Sequence, residues 1–379
     1  MEGGTMAFTI RELHTRKELQ QFVDFPHDLY AGNAYWVPSM RKSELDTLDW
    51  DVNPAFAYCA ARYWLAEQNG KTVGRIAGII NRRHHEVWEQ PYMRFGWLDV
   101  IDDPQVTRAL IGCVEAWARA EGLTAVHGPL GFTNLDHNGV LVEGFSELAT
   151  LAAGYNYPYY QTHVEAAGYH KDVDYVEYLM PMVAEMPERI VKLAEVVAKR
   201  YDLHFLEAKN KKELIPYARE LFGLIGAEYK HLYGVVPLTE EQVEAYIQQY
   251  FGFISPKFVP IILDKDGKMA AFGVVLPSLS RAMQKAKGRL LPFGFVHIIR
   301  ALRVNDRIDL MLIAISKEYQ GKGVNAMLMD RMFKVFLEMG IQFVEANPEL
   351  ESNIAVQAQW KHFERRQHRR RRIYIKNLE

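Results

Sequence analysis

A phosphate group needs hydrogen-bond donors that no protein acceptor has already taken, and the stretch from Ile308 to Asn325 offers a place for them. Leu310 to Ile315 is an apolar run of the kind that forms a buried strand. After a short polar break, Gln320, Gly321, Lys322, Gly323, Val324 and Asn325 lead into a helical pattern, with apolar residues at Val324, Leu328, Met332, Val335, Phe336 and Met339 and a stop at Gly340. The first amides of a helix have no intrahelical acceptor and lie at the positive end of its dipole, and glycine lets a ligand approach the main chain closely. The spacing therefore predicts a strand, a glycine-bearing turn and a helix N-terminus suited to an anion. It fits neither a Walker loop, which needs Gly-Lys-Ser/Thr, nor a dinucleotide fingerprint, which needs a third glycine and an acid about 20 residues on.

The elements around this turn repeat elsewhere. Phe8 to Leu13 reads as a strand, and Thr15 to Phe25 as a helix opened by a threonine cap and closed by Pro26. Tyr58 to Glu67 and Thr72 to Asn81 read as strands joined by Asn69-Gly70, a strong hairpin signal. Arg94 to Ile101 is a further strand. Asp103 and Pro104 then open a helix that carries Val106, Leu110, Cys113, Val114 and Trp117 on one face, stops at Gly122, and precedes a strand at Thr124 to His127. The order strand, helix, glycine, strand recurs around Val324, which predicts an architectural repeat. The second copy opens with a strand from Tyr201 to Ala208, a helix from Lys211 to Tyr229, and a hairpin from Val259 to Leu276 turned at Asp266-Gly267. A domain at 1–180, a linker helix at 181–200 and a second domain at 201–379 follow. At the decisive turn the first copy offers Asp102 and Asp103, whose carboxylates use the helix amides and repel phosphate. Only the second copy is expected to hold a phosphorylated ligand, leaving the first as a wall of an acceptor cleft.

Composition sets the bounds. The chain has 379 residues, 49% hydrophobic and 24% charged, with a formal net charge of -2. This is a globular composition and not that of a generally basic, nucleic-acid-coating protein. Cys59 and Cys113 are too far apart and too few for a disulfide framework or a cysteine metal site, which points to a reducing cytosol. The opening residues MEGGTMAFTI lack a signal-peptide pattern, and no uncharged apolar run reaches the roughly 18 residues of a membrane span. His84-His85 has no companion at metal-ligand spacing, so no metal is assigned.

The text Q-x-x-G-x-N resembles the pyrophosphate loop of the GCN5-related N-acetyltransferase (GNAT) superfamily, whose pattern is Gln/Arg-x-x-Gly-x-Gly/Ala. Gln320 and Gly323 match, Asn325 replaces the usual small residue, and Asn353 matches an asparagine that opens a later helix. Over nearly the whole chain the sequence is similar to a bacterial family of two-domain proteins with tandem GNAT-like folds. Trp36-Val37-Pro38, the block GPLGFTNLDHNGVLVEGF from Gly128 to Phe145, Tyr157-Pro158-Tyr159-Tyr160 and Gly288-Arg289-Leu290 carry that similarity. The resemblance implies an α/β (α+β) fold of two tandem domains, each a mixed central sheet flanked by helices. It implies acyl-coenzyme A as co-substrate, an amine as acceptor, and by a further step a long-chain amine of the sphingoid type.

It also implies roles. Gln320 to Asn325 and Asn353 would hold the coenzyme, the pantetheine arm would lie between splayed strands at Ile308 to Ile315 and Gln342 to Ala346, and Ala314 or Ile315 would donate to the thioester oxygen. An alkylammonium has a pKa of about 10 and must lose a proton before it attacks, so a base is wanted. Glu345, at the end of the strand facing the gap, is the first candidate and Glu351 the second. The superfamily's usual acid, a tyrosine seven residues after the asparagine, is Trp360 here, which puts standard acetyl transfer in doubt. Asp136, His137, Glu143, Tyr159 and Tyr160 are the expected lining of the acceptor cleft.

Two basic clusters complete the reading. Arg365, Arg366 and Arg369 to Arg372, with His368, predict a last hairpin with a solvated edge. Arg281 to Arg307 mixes cations with Leu290, Leu291, Phe293, Phe295, Val296, Ile298 and Ile299, which suits a cover over the acceptor cleft or an interfacial segment at anionic lipid. The expected location is cytoplasmic, with peripheral membrane contact as an extension. A catalytically silent binding protein is the alternative that Trp360 motivates. An aminoacyl-tRNA-dependent transferase is the other, against which stands the absence of sustained heptads.

Overall fold

The computed structural model describes residues 8–251, 254–361 and 363–379; residues 1–7, where a signal-peptide pattern was found wanting, lie outside them. Among the described residues the strands join in one sheet. In the first half, Cys59–Gln68 and Lys71–Asn81 form the expected hairpin. Asn69 and Gly70 both take positive φ, 52° and 72°, as a tight hairpin turn demands. Helix Pro104–Ala120 follows strand Tyr92–Val100, with the Asp103 side chain accepting from the Gln105 amide at 2.8 Å. Helix Arg16–Leu29 begins on a capping box of Thr15 and Glu18 but runs through Pro26 and does not stop there. Proline leaves the carbonyl four residues earlier without its amide. That carbonyl, on Phe22, instead accepts from Arg75 Nη1 at 2.8 Å.

The second half repeats the order with hairpin Ile261–Leu263 and Met269–Pro277, strand Arg307–Ile315, helix Val324–Met339 and strand Phe343–Ala346. Its opening strand is shorter than expected, His204–Phe205, because Tyr201 still belongs to helix Glu188–Tyr201. That helix, read as a linker, buries Ile190, Ala194 and Val197 against Met327, Leu328 and Met332. It is core of the second half.

The two halves do not form separate sheets. Strand His170–Pro181, the last of the first half, pairs with Phe343–Ala346 of the second. Strand Arg366–Asn377, the last of the second, pairs with Ala125–Gly128 of the first. Between these neighbours the two long strands pair with each other, from Arg366 opposite Leu179 to Ile375 opposite His170. Each half has given its final strand to the other.

This corrects the reading of the arginine run as a solvated hairpin edge, since the run lies near the middle of the sheet. Residues alternate between faces of a strand, and the run divides accordingly. Arg369 and Arg371 are buried and each donates from Nε to Glu177 at 2.8 Å; Arg369 also bridges to buried Glu345. On the opposite face Arg372 and Arg370 hold Asp174 at 2.9 and 3.1 Å. Burial pushes the Asp174 carboxyl up, but Arg372, Lys171 and Arg370 together hold it at about 2. Ligand-type atoms of Glu177, Glu345 and His368 lie within 4.8 Å of one another, yet both carboxylates are already engaged by Arg369.

Buried charges are tolerated only when paired, and removing one partner strands the other. Glu177→Gln is therefore expected to cost about 3–5 kcal/mol of stability, measured by denaturant unfolding. Asp309 behaves oppositely. Burial and the neighbouring Glu345 raise its pKa, so its contribution is fully present below the unfolded value near 4 and is lost as pH rises through the folded one. Asp309→Asn should gain stability relative to wild type as pH is raised from 5 to 9, and an unchanged difference across that range would contradict the assignment.

Candidate functional site

The turn at Gly321–Asn325 is built as the spacing predicts. Gly321 and Gly323 take positive φ, 71° and 84°, a conformation in which a side chain is strained. The helix begins at Val324, and no side chain caps it. The main-chain amides of Val324 and Asn325 have no protein acceptor among the described residues. Lys322 stands over the Tyr201 and Tyr319 rings beside them, with Nζ 5.0 Å from the first centroid. The Gln320 side chain does not face the amides. It donates to Glu228 Oε2 at 2.5 Å and to the Ile315 carbonyl at 3.0 Å, latching the turn onto the strand before it.

That strand borders a wedge. Arg307–Ile315 and Phe343–Ala346 run parallel and pair from Arg307 opposite Phe343 to Leu310 opposite Ala346. Beyond that point the first strand continues to Ile315. The second breaks at Asn347-Pro348, and Glu349 and Leu350 pair with Val176 and Tyr175 on the other side. Met311 is an extra residue opposite Val274 and Val275, a bulge that bends the strand where the pairing ends.

Main-chain groups alternate between the two edges of a strand. The Ser316 amide donates to Ala270, so Ser316 and Ala314 face the hairpin strand Met269–Pro277 while Ile313 and Ile315 face the wedge. Of the two expected thioester donors, Ile315 is on the open edge and Ala314 is not. Ile313 shares the edge, and there the Tyr229 hydroxyl donates to its carbonyl at 2.7 Å and accepts from its amide at 3.3 Å.

The expected bases lie elsewhere. Glu345 is buried among Arg369, Arg307 and His368, with Arg307 Nη1 at 2.9 Å. Its side chain serves the central network. Glu351 is exposed and bound by Arg370 and Lys171. Asn353 accepts from the Val356 amide at 3.3 Å and caps a short helix, Ile354–Gln357.

In the first half, His137 and Tyr160 border a cavity of about 110 Å³ together with His27, Trp36, Asp99 and Arg75. His137 Nε2 donates to the Leu151 carbonyl at 2.7 Å, and Asp136 accepts from the Thr133 amide at 2.9 Å, so both side chains hold loop backbone. Glu143 pairs with Arg370 at 3.1 Å, and Tyr159 donates to the Val100 carbonyl at 2.7 Å. Asp103 occupies its helix amide as expected, whereas Asp102 reaches His163 at 3.1 Å.

Two groups at the wedge escaped the sequence reading. Tyr229 is the last residue of helix Ile215–Tyr229, with nothing local to mark it. Glu349 had a signal in Asn347-Pro348, a dipeptide that ends a strand, which made it the first carboxylate beyond the break. Burial raises the Glu349 pKa to about 7, against the lowering effect of a hydrogen bond from Trp360 Nε1 at 2.8 Å.

Bulged strand, uncapped glycine turn and parallel wedge, in a chain whose halves repeat one element order, define a protein with two tandem GNAT folds. The chain aligns with the tandem GNAT protein from the clavulanic acid biosynthesis pathway at a TM-score of 0.55, covering 98% of both chains at 14% identity. Among curated proteins it is 28% identical over 378 residues to protein YghO of Escherichia coli (strain K12), covering 97% of this chain and 95% of that one. It is also 28% identical over 338 residues to the bacterial ceramide synthase of Caulobacter vibrioides, covering 86% and 85%. No family model matches the chain.

Proposed function

We propose that the protein is an acyl-CoA-dependent N-acyltransferase whose acceptor is a lipidic amine. The uncapped amides at Val324 and Asn325 carry this reading, because they sit one turn from an open strand edge. On this reading the diphosphate takes those amides and Lys322, and the pantetheine arm runs back along Ile315 toward Met311. The thioester then lies at the bulge, where the edge amides stabilise its oxygen as charge develops. The two tandem folds and a relative named as a ceramide synthase support the same class of reaction.

The lipidic acceptor has its own observation. Between the hairpin and the wedge strand, helices Ser280–Ala286 and Gly294–Arg303 form an insertion with six Lys or Arg and no Asp or Glu from Ser280 to Asn305. Its inner side, including Ala282, Met283 and Ile298, packs on Tyr30, Val37 and Leu141 of the first half. Its outer side leaves Leu291 76% and Phe293 73% exposed beside Phe295, Val296, Ile299 and Val304. Apolar side chains rimmed by arginine and lysine match an anionic lipid surface. No helix among the described residues is long and apolar enough to cross a membrane, so the contact would be peripheral.

Asn325→Asp separates the donor site from the fold. A carboxylate in the first helical turn should raise stability by about 0.3–1 kcal/mol through the dipole while repelling phosphate. CoA affinity by calorimetry should fall at least about tenfold, and an unchanged affinity would remove the loop from the site. For the acceptor face, flotation with vesicles of 30% phosphatidylglycerol in phosphatidylcholine should show salt-sensitive binding that neutral vesicles lack. Leu291→Asp with Phe293→Asp should weaken it by about tenfold or more, each side chain being worth about 1.5–3 kcal/mol when buried. Equal binding by the double variant would sink the lipid face and leave the donor site standing.

A further inference from the structure

We propose that Asn347, Glu349 and Tyr229 form the docking site of the acceptor amine at the inner end of the wedge, with Glu349 as the group that takes its proton. This rests on the reading of the wedge as the acyl-CoA gap. The geometry ties each residue to that place. Asn347 Nδ2 is 3.3 Å from the sulfur of Met311, the bulge residue itself. The Tyr229 hydroxyl lies on the edge of Ile313, and burial, with a smaller contribution from the Glu349 charge, raises its pKa to about 12. Glu349 is held by Trp360, whose ring packs with Leu310 and Ala346, the last pair before the strands part.

The second observation is what these side chains lack. Asn347 Oδ1, Glu349 Oε2 and Gln359 Oε1 are shielded from solvent and have no hydrogen-bond donor among the described residues. Buried polar atoms are ordinarily satisfied, and leaving one unpaired costs about 1–3 kcal/mol. Three unpaired acceptors from one short segment call for a donor, and an alkylammonium brings three N–H bonds and a positive charge. An anionic or purely apolar acceptor would leave those oxygens unpaired.

The reaction balances with these groups. The Glu349 carboxylate removes one proton from the ammonium, and the freed lone pair forms the C–N bond at the thioester carbonyl. The C–S bond breaks with its electrons going to sulfur, and a second nitrogen proton passes to the thiolate, giving an amide and free CoA. Glu349 then returns its proton to water. Trp360 is a positioning residue: its indole fixes one carboxylate oxygen and leaves the other directed at the amine. This gives the indole a use where the superfamily resemblance had looked for an acidic hydroxyl.

Glu349 accepts from Trp360 and feels the charges of Arg365 and Tyr229, and burial outweighs the lowering effects of Trp360 and Arg365 to place its pKa at about 7. The Trp360 indole N–H reports on that titration directly. In 15N-labelled full-length protein, the indole resonance lost in Trp360→Phe should titrate with a midpoint of about 7, and Glu349→Gln should abolish the titration. Octylammonium should lower the midpoint by at least about half a pH unit, since a cation favours the carboxylate, and octan-1-ol should not. With long-chain amine and acyl-CoA, Glu349→Gln should lower kcat/KM by about 100-fold or more without changing CoA affinity. An indole signal that does not titrate between pH 5 and 9, or a midpoint indifferent to octylammonium, overturns the amine site in a protein that still binds CoA. Absence of CoA binding to the wild type would instead defeat the donor reading.

Discussion

Two strands that belong by sequence to different halves lie side by side at the centre of the sheet, and the ions between them govern the rest of the structure. Glu177 comes from one strand and Arg369 and Arg371 from the other, while Glu345 and Arg307 reach in from the wedge strands. Each ion is expensive to bury alone and tolerable only in company. The arrangement requires both exchanged strands to be in register at once, because a slip of one residue would turn the paired arginines to the opposite face. The halves are thus fastened by main-chain pairing and by charge, and neither sheet is complete without the other's last strand.

The first half carries the geometry of the second only part of the way. Its fourth and fifth strands also part after a short parallel pairing, ending at Arg94 opposite His127, and its fourth strand also bulges, at Trp97 with φ of 46°. There the likeness stops. The Leu130 amide donates to the Phe95 carbonyl at 2.7 Å, and a Cβ at Gly96 would sit 2.5 Å from the Leu130 carbonyl. The gap is closed by the chain itself. With Asp103 on its helix amide as well, the first half has neither the open strand edge nor the uncapped turn of the second.

Much of this was legible in the sequence where the cause is local. Hairpin turns, caps and the glycine turn are set by a few neighbouring residues, and Asn69-Gly70, Asp103-Pro104 and Gly321–Asn325 fold as their chemistry demands. What depended on strand pairing across the chain was not legible. Arg369 looks like a solvated edge cation until Glu177, 192 residues away, is known to lie opposite. Glu345 and Glu349 differ by four residues, yet only the structure shows that the first turns into the central network and the second follows the strand out of it. Pro26 misled for the same reason, since the group that replaces its missing hydrogen bond is Arg75 on a distant strand.

The same long-range wiring links the proposed lipid face to the wedge. Helix Gly294–Arg303 leads within a few residues into Arg307, which opens the wedge strand and holds Glu345. Asn305 fixes that turn by donating to the Ser278 and Ala301 carbonyls at 2.7 and 3.1 Å. A displacement of this helix would bear on Arg307 at the base of the wedge strand, whose ion pair with buried Glu345 opposes it. A surface that moved freely would uncouple lipid capture from the thioester. On the function proposed above, a rigid connection would instead present an amine drawn from a bilayer at a fixed distance from the bulge at Met311, which is the demand that a slow, apolar and poorly diffusing acceptor would place on such an enzyme.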